Sequence, residues 1–352
     1  MEFCIAARSL HDLVATARHA VPSSPALAVF SGVQVSCASG KVTVTGSDGE
    51  TTIAADAPAS EMTDAGSAVL APKPIMTFLA SLDPSAVVTV SLADADVVVS
   101  CAKLAPYRFR TVGTRFPQTL SPKGDERPCS LERLAEALAA VRSAVSRDHS
   151  GVQVVSDKNG LHLRTTDNYR LHAASIPEGS FGEFSGVVSV QVLERLAAHP
   201  PTAIVCDEKG RAIKAISPGV TVSARLLQVP FPNVEGVLAA RPAVELDVEV
   251  AAVKSALSRL SSVADGAAVA VSGGTNGLRF EVANAEVGSG SEEVLASSSE
   301  LSFSVDRQFL ADSLAAHKTD VVKMGYSGQF APVSFHSAAP ILVTSIVMPV
   351  RS

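Results

Sequence analysis

Eight histidines and five cysteines are the side chains of this 352-residue chain best suited to metal or nucleophilic chemistry, and neither set is spaced for it. Cys4, Cys37, Cys101, Cys129 and Cys206 lie far apart, form no C-x-x-C pair and are odd in number. That is the pattern of small buried hydrophobes in a reducing compartment. The histidines do not cluster at ligand spacing, and His162, on an alternating run, reads as a sheet-face residue. A G-x-S-x-G nucleophile elbow, a Walker loop and an H-E-x-x-H pair are all missing from the sequence. Gly288-Ser289-Gly290 lacks the third glycine of a dinucleotide fingerprint and sits in a Ser/Gly-rich turn. Asp48, Asp167 and Asn284 each follow an equivalent strand, which suits turn formation through their side chains and not a shared active site. The residues therefore point away from an enzyme, and no metal or cofactor is expected.

These side chains sit on a repeated scaffold. Ser31-Gly32-Val33-Gln34-Val35 recurs unchanged as Ser150-Gly151-Val152-Gln153-Val154, one third of the chain later. Each copy runs through a glycine turn into an alternating strand: Gly40-Lys41-Val42-Thr43-Val44, and Asn159-Gly160-Leu161-His162-Leu163. A third copy reads Ala268-Val269-Ala270-Val271, then Asn276-Gly277-Leu278-Arg279-Phe280. Apolar residues at i, i+3, i+4 and i+7 predict a helix before each hairpin, over 9–21, 130–145 and 250–263. A second helix is expected later in each unit, over 74–82, 190–198 and 305–316; Ser9 and Ser130 are expected to N-cap the first helices of the first two units, and Ser304 the second helix of the third. Short alternating runs bounded by Gly, Asn, Asp and Pro read as antiparallel strands, about eight per unit. Polar connectors at 121–128 and 239–243 place the boundaries of three whole-domain copies at 1–120, 127–238 and 244–352. The fold class is α+β.

Composition agrees with a packed chain. Hydrophobic residues make up 47% and charged residues only 18%, so a disordered or tail-like chain is excluded. With 5% aromatics and no Trp, Ala, Val, Leu and Ile must fill the core. A net charge of −6 excludes a nucleic-acid binder that works by gross positive charge, but not one with a local basic surface. The longest apolar stretch near the end, Ile341 to Val350, is broken by Thr344 and Ser345 and falls well short of a membrane span. No signal-peptide pattern opens the sequence, so a soluble cytoplasmic protein is expected.

One segment, Thr166-Asp167-Asn168-Tyr169-Arg170-Leu171 followed by Ser175-Ile176-Pro177, resembles the T-D-G-H-R-L segment of the bacterial sliding clamp family, the β subunit of DNA polymerase III. The end of the chain, Val347-Met348-Pro349-Val350-Arg351-Ser352, is similar to that family's V-M-P-M-R-L terminus. Phe231-Pro232-Asn233 resembles its R-F-P-D loop, and Phe116-Pro117 the site one repeat earlier. The resemblance implies three clamp domains, each with two helices packed on antiparallel sheets, in a head-to-tail homodimeric ring. Such a ring encircles double-stranded DNA, with helices lining the hole, and tethers a polymerase for processivity. Topology then replaces tight binding, which reconciles an acidic protein with a polyanionic partner. The implied partners are DNA polymerase III α subunit, the clamp loader, other proteins with a clamp-binding motif, and a second copy of the chain; no membrane is implied. Alternatives are a non-ring peptide-binding adaptor on the same triplicated fold, and an enzyme with an unrecognised site.

The family's partners insert a motif such as Q-L-x-L-F into a cleft between the second and third domains. By resemblance, the pocket comprises Thr166, Asn168, Tyr169, Arg170, Leu171, Pro232, Val237, Val347, Met348, Pro349, Val350 and Arg351. Leu171, Val237, Val347, Met348 and Val350 are expected to supply its apolar surface. Opposite the apolar helix stripes lie Arg8, His19, Arg133, Arg147 and Arg259, the expected DNA-facing residues. Tyr107 and Phe109 on a first-domain edge strand are expected to face Leu260 and Val263 of the other copy, all four being exposed in a monomer. The sequence departs from the family where Ser24-Pro25-Ala26-Leu27-Ala28 lacks a DNA-contacting arginine, where Asn168-Tyr169 replaces Gly-His, and at Gly236 and Ser352.

Overall fold

A single strand–helix–strands–helix–strands order is used three times in the computed structural model. It describes every residue except 26–27, 103, 114–115, 117, 147–150, 208, 264–267, 276, 298–299 and 351–352. Ala26, Leu27, Pro117, Ser150 and Asn276 of the sequence motifs lie outside the described residues. The first copy comprises β1 (Glu2–Ala6), α1 (Ala7–Ala17), β2 (Val33–Ala38), β3 (Lys41–Ser47), β4 (Thr51–Pro58), β5 (Glu61–Asp64), β6 (Gly66–Leu70), α2 (Pro72–Ala80), β7 (Val87–Ala93), β8 (Asp96–Cys101) and β9 (Tyr107–Arg110). The second comprises β10 (Glu126–Pro128), α3 (Leu134–Val141), β11 (Gly151–Asp157), β12 (Gly160–Thr166), β13 (Arg170–Ile176), β14 (Phe184–Ser189), α4 (Val190–Ala198), β15 (Ala203–Cys206), β16 (Ala212–Ser217) and β17 (Val220–Arg225). After a one-turn helix, α5 (Glu235–Leu238), the third comprises β18 (Val244–Glu249), α6 (Val250–Leu260), β19 (Ala268–Gly274), β20 (Gly277–Asn284), β21 (Gly288–Leu295), β22 (Ser302–Asp306), α7 (Arg307–Ala315), β23 (Val321–Tyr326), β24 (Val333–Ser337) and β25 (Leu342–Val347).

The period-2 pattern explains the sheets. On β19 and β20, Val269, Val271, Leu278, Phe280 and Val282 are buried, whereas Ala268, Ala270, Arg279 and Glu281 are exposed. Apolar stripes on the helices close the cores: Leu10, Leu13, Val14 and Ala17 on α1, and Val253, Ala256, Leu257 and Leu260 on α6.

The expected N-caps are corrected. Strand β1 runs straight into α1, and the first-turn N–H groups of Ala7 and Arg8 donate to the carbonyls of Ala86 and Pro84 (2.8 and 3.2 Å), so Ser9 is not a cap. Helix α3 begins only at Leu134, after a turn that leaves Ser130 upstream. For α7 the cap is Asp306, whose Oδ1 accepts from the Phe309 N–H at 2.9 Å; Ser304 lies within β22.

Sheets do not respect the sequence boundaries. The order β10-β15-β16-β17-β4-β3-β2-β6 joins the latter half of the second copy to the first half of the first. The order β14-β11-β12-β13-β25-β24-β23-β18 joins the second and third copies in the same way. Contacts accordingly gather into two compact units, 1–129 with 199–226, and 130–198 with 227–352. Two further sheets, β5-β1-β7-β8-β9 and β21-β20-β19-β22, have β9 and β21 as edge strands, each paired on one side only, with β5 and β22 at their other edges.

Candidate functional site

An Asx turn opens the site. Asp167 Oδ1 accepts from the N–H groups of Tyr169 (3.1 Å) and Arg170 (3.0 Å), and Thr166 Oγ1 donates to the Arg170 carbonyl at 2.8 Å. Asn168 takes the left-handed conformation, φ 74°, which Asn tolerates better than most side chains. Asp48 makes the same pair of bonds to Glu50 and Thr51, and Asn284 to Glu286 and Val287. All three residues are thus turn formers, as their spacing predicts. The turn leaves Tyr169 63% exposed, and its carbonyl accepts from the Met348 N–H at 2.8 Å. The Val350 N–H donates to Ser304 (2.8 Å), which fixes the outgoing chain beside the turn.

Arg170 is held on three sides. Its Nε donates to Asp167 Oδ2 at 2.9 Å, its Nη1 donates to Asp312 Oδ2, and its guanidinium lies 4.4 Å from the centre of the Phe309 ring. The other Asp312 oxygen accepts from Gln308 at 2.8 Å. Phe309 and Asp312, both on α7, were not expected at the site; the sequence marks them only as two positions of an amphipathic helix. Leu171 and Val347 are corrected as surface residues. Leu171 is buried with Val234 and Ile346, with Phe231 and Leu238 packed against them, and Val347 belongs to the core of the third copy. They support the surface without lining it, because successive strand residues alternate faces. Tyr169, Pro232, Val237, Met348 and Val350 are exposed, and Pro349 is half-buried. The turn at 166–171, the segment 231–238 and the end of β25 pack on one another through Leu171, Val234 and Ile346. Arg351 and Ser352 lie outside the described residues.

The expected DNA-facing cations carry their own counterions. Arg8 pairs with Asp12 at 2.8 Å, Arg133 with Glu136 at 3.4 Å, and Arg259 grips both oxygens of Glu292 on β21 at 2.7 Å. The Arg259 hydrogen bonds hold the Glu292 carboxyl below its ordinary range. His19 is exposed on the turn after α1, and Arg147 lies outside the described residues. Among the described residues no three or more His, Cys, Asp or Glu side chains gather as a metal site would require, and no helix is long and apolar enough to cross a membrane.

The open strands carry the residues expected at a dimer contact. On β9, Tyr107 is 48% exposed, with its ring 4.3 Å from Phe78 and that of Phe109 5.8 Å from the same ring. Leu260 is a correction: it is 3% exposed, within the core with Phe280, and Val263 is half-buried. Both flank Gly290 of β21, where an added Cβ would lie 3.2 Å from Leu260 Cδ2 and 3.5 Å from Val263 Cγ2. The two joined sheets set a register for these edges. Val222 of β17 lies opposite Ile53 of β4, and Ser345 of β25 lies opposite His172 of β13. Tyr107 is opposite Val99 in its own hairpin as Val222 is opposite Ala215 and Ser345 opposite Phe335. Gly290 is opposite Val282 as Ile53 is opposite Gly46 and His172 opposite Thr165. Tyr107 and Gly290 are therefore the corresponding positions of the two edge strands.

Residues 1–115 match the family model described as DNA polymerase III beta subunit, N-terminal domain, and residues 237–351 match that of its C-terminal domain. Solved structures share the fold across the full chain. The DNA polymerase III subunit beta from Pseudomonas aeruginosa aligns with a TM-score of 0.91 at 18% identity, covering 100% of both chains. The beta subunit from Thermotoga maritima aligns at 0.87 and 19% identity, and a DNA polymerase sliding clamp from Bacillus subtilis at 0.86 and 20%; each covers 100% of this chain and 99% of the other. With both terminal domains matched, the three-fold element order in place and the T-D-x-x-R-L turn joined to the V-M-P end, this chain belongs to the DNA polymerase III β-subunit family.

Proposed function

We propose that the chain acts as a DNA sliding clamp: two copies close head to tail into a ring around duplex DNA and give processivity to the polymerase they tether. The observation that carries this reading is the pair of edge strands β9 and β21, each open on one side. Two of three equivalent edge pairings are already made within one chain, β17 with β4 and β25 with β13. The third, β9 with β21, needs a second copy. Head-to-tail use of unlike edges closes a ring when the rotation allows. Three domains at 1–120, 127–238 and 244–352 are the repeating parts of this ring, each junction sheet being shared between neighbours. The surface of Tyr169, Pro232, Val237, Met348 and Val350, on the scaffold of Arg170 and Leu171, takes the peptide motif of partners. DNA polymerase III α subunit, the clamp loader and other motif-bearing proteins are those partners, in the cytoplasm. The protein is a processivity factor without a catalytic site. Since Arg8, Arg133 and Arg259 are ion-paired, contact with DNA is weak and retention is topological.

The test combines light scattering with DNA retention. A ring gives a particle of twice the 36.2 kDa chain mass, stays on nicked circular DNA after loading, and leaves when the circle is cut. A monomer that still binds a Q-L-x-L-F peptide would replace this reading with the non-ring adaptor.

A further inference from the structure

The seam between α7 and strands β13 and β25 is filled differently from its counterpart in the first sheet. There, Ile53 and Val222 form an apolar pair, each 2% exposed. Here the equivalent pair is His172 and Ser345, both fully buried, extended by Ser313 and His317. The donors and acceptors run in one direction only. His172 Nδ1 lies 3.1 Å from the Ala140 carbonyl, which can only accept, so Nδ1 carries the hydrogen, with Ser143 Oγ also 3.3 Å away. His172 Nε2 is then an acceptor for Ser313 Oγ at 3.3 Å. Ser345 Oγ donates to the Ser313 carbonyl at 2.9 Å, so it accepts from His317 Nε2, also at 2.9 Å. His317 Nδ1 in turn accepts from Ser337 Oγ at 2.8 Å. With both imidazoles neutral, each ring nitrogen and each of these hydroxyls has a partner.

We propose that this buried chain is a proton-operated latch that holds α7 and β25 against β13, and that protonation of either histidine releases α7 before the rest of the fold opens. A second ring hydrogen would turn the Ser313 or Ser337 hydroxyl from donor to acceptor and would place an imidazolium on a buried ring. The groups around it do not compensate. Strand β13 and its turn bring Arg170 and Asp167, α7 brings Asp312 and His317, β24 brings His336, and α3 with the following turn brings only the Ala140 carbonyl and the Ser143 hydroxyl. Asp167 and Asp312 are already engaged with Arg170. Burial, the largest influence on each ring, pushes both His172 and His317 down to about 4. The folded value lies below the unfolded one, so the latch is at full strength above pH ~6.5 and weakens as pH falls toward 4. Because α7 also carries Asp312 and Phe309, its release loosens the support of Arg170.

The test is hydrogen exchange of the full-length protein at pH 7.5 and 5.0, corrected for the intrinsic rate. Exchange of α7 and β25 should rise about thirty-fold for each histidine that opens, while α1 and β4 stay unchanged. His172→Ile, which copies Ile53 at the equivalent seam, should lower the rise. Unchanged protection of α7, or an equal rise in α1 and β4, overturns the latch. If the variant does not fold, nitrogen NMR of the native protein decides. Nδ1–H on His172 and Nε2–H on His317, with both rings titrating below pH 5, support it; a titration near 6.5 for either ring refutes it. Neither readout depends on the partner-peptide reading.

Discussion

Tyr107→Ala is the most direct probe of ring closure. The ring of Tyr107 is 48% exposed and rests on Phe78, at an edge strand whose equivalents are both paired. Opposite it in the deduced register is Gly290, which has no side chain and lies close against Leu260 and Val263. Covering the exposed half of one tyrosine removes roughly 100 Å² from water. At about 25 cal/mol per Å² that is ~2.5 kcal/mol for each junction. A two-chain ring has two such junctions, so Tyr107→Ala should weaken the dimer by ~5 kcal/mol, between three and four orders of magnitude in Kd. The monomer should lose only the Phe78 contact, about 0.5–1.5 kcal/mol, far less than the dimer loses. Gly290→Leu gives the reciprocal test, crowding the junction from the other strand. Gly290→Ala should be mild, because its Cβ meets only side-chain ends, Leu260 Cδ2 at 3.2 Å and Val263 Cγ2 at 3.5 Å, and no backbone atom. Sedimentation equilibrium across nanomolar to micromolar concentrations measures the Kd. Wild-type affinity in both Tyr107→Ala and Gly290→Leu would show that β9 and β21 do not meet in this register.

Deleting residues 348–352 should abolish binding of a Q-L-x-L-F peptide in calorimetric titration and leave the dimer intact. Met348→Ala, which removes one exposed apolar contact but keeps the hydrogen bond to Tyr169, should cost ~1–3 kcal/mol of peptide affinity. Asp312→Ala strands one face of the Arg170 guanidinium and should cost about 1–3 kcal/mol of stability, read as a lower denaturant midpoint with an unchanged slope. Binding to a short linear duplex should be weak and fall steeply with salt; nanomolar affinity at physiological salt would mark a conventional DNA binder.

The parts of this protein that local sequence determines were legible before any coordinates. Three hairpins, two helices per copy and the Asx turns at Asp48, Asp167 and Asn284 depend on neighbours a few residues away, and periodicity and turn chemistry report those neighbours directly. Helix α4 matches its expected limits, Val190–Ala198, for that reason. Helix starts were less legible: Ser9 yields to the carbonyls of Pro84 and Ala86, supplied by a turn far along the chain. Only the tertiary structure decided which surfaces are outside. Leu171, Val347 and Leu260 are apolar in the sequence like Val237 and Met348, but pairing of β13 with β25 and packing of α6 bury the first three. The partners of Arg170 were out of reach for the same reason, since Asp312 and Phe309 lie on a distant helix. The shared sheets and the chain from His172 to His317 likewise arise between repeats. Pairing between distant strands has its register set by packing on both faces, so no local pattern along one strand specifies which strand will lie beside it.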